Sequence, residues 1–134
     1  RLVGSEMCIR DISIPVAIIG KVIDKISKEL RDCEGVKTIY PFGHVADGNI
    51  HFIIGKDSDN DDLKSKINDI VYNNTKLVDG SISAEHGIGL DKKKYLIKSR
   101  SEDEIELMRL IKKSIDPKNI LNPGRVIWFK ILSL

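Results

Sequence analysis

The stretch "GHVADGNIH", residues 43–51, constrains the fold more than any other part of the chain. It lies between two runs rich in β-branched and aromatic residues, 36–42 and 50–54, which read as strands. Asp47-Gly48 is a favoured central pair for a two-residue hairpin loop, because a type I′ turn needs positive φ at both positions. Strands joined this tightly must be antiparallel neighbours. On that geometry Ala46 faces Asn49, Val45 faces Ile50, and His44 faces His51. Directly opposed residues share one face of a sheet, with Cβ atoms about 4.5–5.5 Å apart. On one continuous strand a spacing of seven separates the two rings, whereas across this turn it joins them. The pair then suits a shared cation, for which Zn–N distances are about 2.0–2.1 Å. Two polar histidines beside a solvated turn are the alternative, and the spacing leaves both readings open. A catalytic zinc also usually needs a third protein ligand.

The rest of the chain alternates helices with strands. Residues 12–14 read as the end of a short strand stopped by Pro15. Ile19, Val22, Ile23, Ile26 and Leu30 recur at helical spacing, and Gly35 closes that unit. "GKDSDNDD" is a polar loop whose Asp59 or Asn60 caps a helix running to about Val78, with Leu63, Ile67, Ile70 and Val71 as its apolar stripe. Asp79-Gly80 ends it, and residues 81–83 are short and strand-like. "DKKKYLIKSR" reads as a short helix or irregular connection with a solvated lysine face. Ser101 and Glu104 form a capping box for a helix with Ile105, Met108, Ile111 and Ile115 on its core face, broken at Asp116-Pro117. These elements and the hairpin indicate an α+β fold, an antiparallel sheet with helices packed on it.

The 22 basic and 20 acidic residues leave a net charge of +2, which offers no argument for nucleic acid or an anionic membrane as partner. No apolar run approaches the roughly 20 residues of a membrane-crossing helix. The opening "RLVGSEMCIRD" has no apolar period and no signal-peptide core. It is similar to the translation of a sequencing-library adapter fused in frame to a truncated gene. Residues 1–10 are therefore set apart as a non-native segment, and the domain proper is taken as 11–134. This leaves Cys33 alone, without an internal disulfide or a cysteine-based zinc motif. The lack of a signal points to the cytoplasm.

Glu85-His86 stands among Gly80, Gly87 and Gly89. Glycine permits positive φ and close approach of a substrate. Glu85 can supply an oxygen ligand beside two imidazoles, leaving positions open for substrate. Adjacent side chains diverge, so His86 can serve as a proton acceptor next to the metal. A surface carboxylate and a loop histidine are the plainer reading. "GIG" lacks the full G-x-G-x-x-G pattern of a dinucleotide loop.

"FGHVADGNIH", "SISAEHGIGLDKKKYL" and "MRLIKKSIDPKNILNPGRVI" together resemble the C-terminal domain of FAD-linked oxidases, with "DISIP" as a further likeness upstream. This group contains D-lactate dehydrogenase, the glycolate oxidase D-subunit and D-2-hydroxyglutarate dehydrogenase. The resemblance runs over residues 11–127 and implies the substrate, or cap, domain of a two-domain flavoenzyme. It implies that His44, His51 and Glu85 bind a divalent metal, usually zinc, and that His86 is the catalytic base. The substrate would be a small D-2-hydroxy acid, oxidised to the 2-oxo acid with FAD as acceptor. Asn49 would orient His51 or touch substrate. Asn122, Pro123 and Gly124 resemble a segment running back toward the flavin. The implied partner is an N-terminal FAD-binding domain, and a homodimer is a further arrangement open to such a chain.

Three departures stand out. Ala46 replaces a usual glycine, Ile53 stands where some members carry asparagine, and no FAD-binding domain is present. A small zinc hydrolase and a non-catalytic α+β binding module are the rival classes, although no H-E-x-x-H helix supports the first. The purified chain is expected to bind FAD weakly or not at all and to show no turnover. Absorbance at flavin wavelengths checks this, and stoichiometric bound flavin would refute it.

Overall fold

A computed structural model of the chain describes residues 6–127. Residues 1–5 of the segment set apart, and residues 128–134 of the C-terminal tail, lie outside the described residues. The elements are β1 (Glu6–Ser13), α1 (Ile19–Arg31), β2 (Val36–His44), β3 (Asn49–Lys56), α2 (Asp61–Lys76) and α3 (Glu102–Ile115). Short 3₁₀ turns precede α1 (Val16–Ile18), join β2 to β3 (Val45–Asp47) and precede α3 (Lys93–Lys98). The sheet is antiparallel in the order β1-β3-β2, so the hairpin strand β3 is central.

Alternation along β3 decides where the core lies. Ile50, Phe52 and Ile54 point to one face with Ile12, and all four are at most 1% exposed. The helices close that face. Val22, Ile26 and Leu30 of α1 and Leu63, Ile67, Val71 and Tyr72 of α2 complete the cluster. Each fully buried side chain of this size contributes about 1.5–3 kcal/mol. Asn60 caps α2, its side chain accepting from the Leu63 amide at 2.7 Å, and Asp61 and Asp62 in the first turn suit the helix dipole. The Ser101–Glu104 capping box is present on α3 in both directions. Residues 81–83 contribute a single bridge to β1, with Ser13 N–H donating to Ser81 O at 2.9 Å and Ser81 N–H to Ser13 O at 2.8 Å.

Three expectations change. The first strand is longer than residues 12–14: it starts at Glu6, so Glu6–Arg10 pair with β3 although they were set apart from the fold. Pairing uses backbone groups, which any non-proline residue supplies, so the origin of that segment is a separate matter. The lysine run is not wholly solvated, since Lys93 is 6% exposed and the Lys92 side chain 11%. The core face of α3 is mostly open. Ile105 is buried and Met108 partly so, packing with Leu96 and Ile127, but Ile111 is 50% and Ile115 72% exposed. Periodicity reports which side of a helix is apolar, not whether anything covers it.

Substitution of Phe52 by Ala should destabilise the chain by about 3–5 kcal/mol, and substitution of Ile115 by Ala by less than about 0.5 kcal/mol. Urea unfolding midpoints of the two variants check both values. A large loss at Ile115 would mean that α3 packs its whole apolar face.

Candidate active site

The hairpin turn differs from the two-residue form. His44 pairs with Asn49, and Phe42 pairs with His51. Val45–Asp47 form a 3₁₀ turn, and Gly48, at φ 71°, closes it by donating its N–H to Val45 O at 3.1 Å. The loop therefore spans residues 45–48, and the register moves by two positions rather than one. An even shift preserves facing. His44 and His51 still share the outer face of the sheet, but as diagonal neighbours, for which about 7–8 Å is usual, rather than as an opposed pair. Gly48 is needed here twice over. Its φ suits glycine, and a Cβ would collide with Ile14 O, while the Gly48 carbonyl accepts from Ile14 N–H at 2.9 Å.

Around His51 the outer face holds a group of polar side chains. Asp11 lies opposite it on β1 and Phe42 opposite it on β2. The His51 ring, 7% exposed by residue, stacks with the Phe42 ring at 5.1 Å and with the His86 ring at 5.3 Å. Glu85 reaches over the same spot. Its Oε1 accepts a hydrogen bond from Asn49 Nδ2 and lies 3.5 Å from His44 Nδ1, and its Oε2 lies 3.6 Å from His51 Nε2. The structure thus brings His44, Asn49, His51, Glu85 and His86 to one corner. Asn49 Oδ1 is buried without a hydrogen-bond partner among the described residues.

The loop 84–86 is held from below by Asp11, which is fully buried. Asp11 Oδ2 accepts from three successive backbone N–H groups, Ala84 at 2.9 Å, Glu85 at 2.8 Å and His86 at 3.0 Å. Three amides around one oxygen form an anion-binding nest. Asp11 Oδ1 accepts from Lys92 Nζ and lies 3.6 Å from His86 Nδ1. Burial pushes the Asp11 carboxyl upward, but the Lys92 hydrogen bond, the Glu85 and His86 amides and the Lys92 charge together outweigh it. The group is held well below the usual carboxylate range. Burial pulls the Lys92 ammonium down, partly offset by its bond to Asp11.

His86, its side chain half exposed, stands at the lip of a cavity of about 690 Å³. The lining includes Arg10, Asn68, Tyr72, Gly87, Lys92 and Arg125. Asn122, Pro123 and Gly124 sit elsewhere, in the turn after α3. The Gly124 carbonyl accepts from Lys93 Nζ, and the nearby Val126 N–H donates to Gly89 O at 2.9 Å. These are partners distinct from those of the histidines. Asp11, Lys92 and Phe42 were not legible as site residues. A lone aspartate in an alternating strand and one lysine in a run of three carry no signal of their own.

The sequence matches the family described as FAD linked oxidases, C-terminal domain, over residues 2–126. The chain belongs to that family. It is 42% identical over 118 residues to D-2-hydroxyglutarate dehydrogenase, mitochondrial, of Danio rerio, covering 87% of this chain and 22% of that protein. It is 38% identical over 121 residues to D-2-hydroxyglutarate dehydrogenase of Stutzerimonas stutzeri, covering 87% and 26%. It is 33% identical over 117 residues to D-lactate dehydrogenase [cytochrome] 1, mitochondrial, of Saccharomyces cerevisiae, covering 87% and 20%. The chain therefore spans about a fifth to a quarter of the length of these relatives. An α+β domain with an antiparallel sheet accords with the family.

The metal expectation meets a limit. Among the described residues no three His, Cys, Asp or Glu side chains form a metal-binding group. The donor chemistry is nevertheless suitable, with two imidazoles and a carboxylate at one corner of the sheet.

Replacing Gly48 by Ala should cost about 1–3 kcal/mol and displace the resonances of His44 and Asn49, because the turn that sets their register cannot keep its backbone. Urea unfolding with amide spectra checks this. A folded variant with unshifted resonances there would show that the turn does not fix the site.

Proposed function

We propose that this chain is the substrate-holding part of an FAD-dependent dehydrogenase that oxidises a small D-2-hydroxy acid to the 2-oxo acid. The observation that carries the reading is the convergence of His86 with His44, His51 and Glu85 at one corner of the sheet, His86 being the one of the four that also lines the cavity. The names of the relatives, all D-2-hydroxyglutarate or D-lactate dehydrogenases, agree with it. They do not support the zinc hydrolase reading.

His86 is the group placed to take the substrate hydroxyl proton, since it is accessible while its backbone is fixed. Asn49 bonds Glu85 and leaves its oxygen unmatched, so it can orient a ligand hydroxyl or a neighbouring imidazole. His44, His51 and Glu85 are the residues that would hold a divalent cation, zinc being suited to imidazole and carboxylate, and such an ion would supply Lewis-acid polarisation of the hydroxyl. FAD, held mainly by a domain outside this chain, would supply the oxidising power. Asn122, Pro123 and Gly124 are proposed to face that domain. Exposed Met7, Ile9, Tyr40 and Phe42 on the outer sheet face, 49–68% exposed, support a neighbour there.

Among the described residues no helix is long and apolar enough to cross a membrane. The zebrafish and yeast relatives are named as mitochondrial, so the cytoplasmic expectation draws no support from them.

Calorimetric titration of the chain with zinc should give one site, lost in His44→Ala and Glu85→Gln and retained in His86→Ala. In the protein extended with its FAD-binding domain, His86→Ala should lower turnover of 2-hydroxy acids by about 10²–10⁴-fold. Loss of zinc in His86→Ala would mean that this histidine is a ligand rather than a base.

A further inference from the structure

We propose that Asp11 is the positioning residue of the site: it fixes the backbone of residues 84–86 and holds the proton of neutral His86 on Nδ1, leaving Nε2 free to accept one. The catalytic consequence rests on the function proposed above, but the structural assignment does not. Asp11 is paired in register with His51 on the neighbouring strand. The same side chain holds the amides of Ala84, Glu85 and His86 on Oδ2. One carboxylate therefore ties the strand paired with His51 to the loop that carries Glu85 and His86. Ser83 reinforces the turn, its Oγ donating to Gly87 O at 2.9 Å and lying 3.1 Å from Lys92 Nζ.

The two carboxylate oxygens do different work. Oδ2 is occupied by the three amides. Oδ1 is shared between the Lys92 ammonium and the approach of His86 Nδ1 at 3.6 Å. That separation is slightly longer than a hydrogen bond, so the carboxylate acts on the neutral ring through its field. A neutral imidazole carries one N–H and one lone pair, and the partner of one nitrogen decides which it is. A carboxylate beside Nδ1 favours the N–H there. Lys92 has a separate role, neutralising a carboxylate that has no access to water. The competing explanation is that the stack on His51 alone orients His86. A ring stack fixes the plane of an imidazole but not its tautomer.

The test uses the ¹⁵N-labelled 134-residue chain at a pH where His86 is neutral. Two-bond ¹⁵N–¹H spectra should show the Nδ1–H form in excess by about fivefold or more. In Asp11→Asn the excess should reverse, and hydrogen-exchange protection of the Ala84, Glu85 and His86 amides should fall roughly tenfold. Asp11→Asn/Lys92→Met leaves neither charge buried alone and carries the same prediction if the single variant does not fold. Dominance of the Nε2–H form in the wild-type chain, or an unchanged tautomer ratio in either folded variant, would overturn the proposal. In the protein extended with its FAD-binding domain, Asp11→Asn should lower kcat about 10²-fold while KM changes less than about threefold. An effect on KM alone would overturn the catalytic part. Failure of the wild-type extended protein to oxidise any 2-hydroxy acid would overturn the proposed function instead, and the tautomer measurement would still decide the assignment of Asp11.

Discussion

A carboxylate without exposure to water stands at the junction of the sheet and the glycine-rich loop. Asp11 could not remain ionised there unless its oxygens were satisfied, because burying a lone charge is far more costly than any single contact can offset. The surrounding chain is arranged to satisfy it. Three successive amides turn inward, and a lysine from the next segment closes over it. Those amides belong to the residues that carry Glu85 and His86. The requirement to solvate one buried charge thereby sets the position of two side chains that can do chemistry.

The hairpin contributes the second half of the site by a different constraint. A four-residue loop with glycine in the left-handed region replaces a two-residue turn, and the register moves by an even number. An odd shift would have sent His44 to the core face, among the buried apolar side chains of Ile50 and Phe52. The strict period of two along a strand makes the facing of His44 and His51 robust, although their distance is sensitive to the turn. That distance in turn decides how a carboxylate can lie between them.

The inner face of the sheet is fully used, whereas its outer face and most of α3 are not. The inner face carries the core, while the outer face presents Tyr40 and Phe42 next to the polar group, and α3 presents Ile111 and Ile115. Single apolar residues at a surface need no explanation, whereas rows of them on two elements leave apolar surface uncovered. A domain that spans about a fifth to a quarter of its relatives' length has such surfaces for a physical reason: the core it can close by itself is limited to what two helices and three strands enclose.

By itself the sequence determined the class of fold, the hairpin, the capped helices and the order of the motifs. It did so because hydrophobic period, turn residues and caps act within a few positions along the chain. It also marked His44, His51, Glu85 and His86, since histidines are scarce here and glycines flank them. Tertiary structure alone decided the length of β1, the register across the turn and the burial of Lys92 and Lys93. It alone gave Asp11 its role, because that role joins residues more than seventy positions apart. Local pattern cannot report a charge whose partners are backbone amides, since every residue but proline carries one.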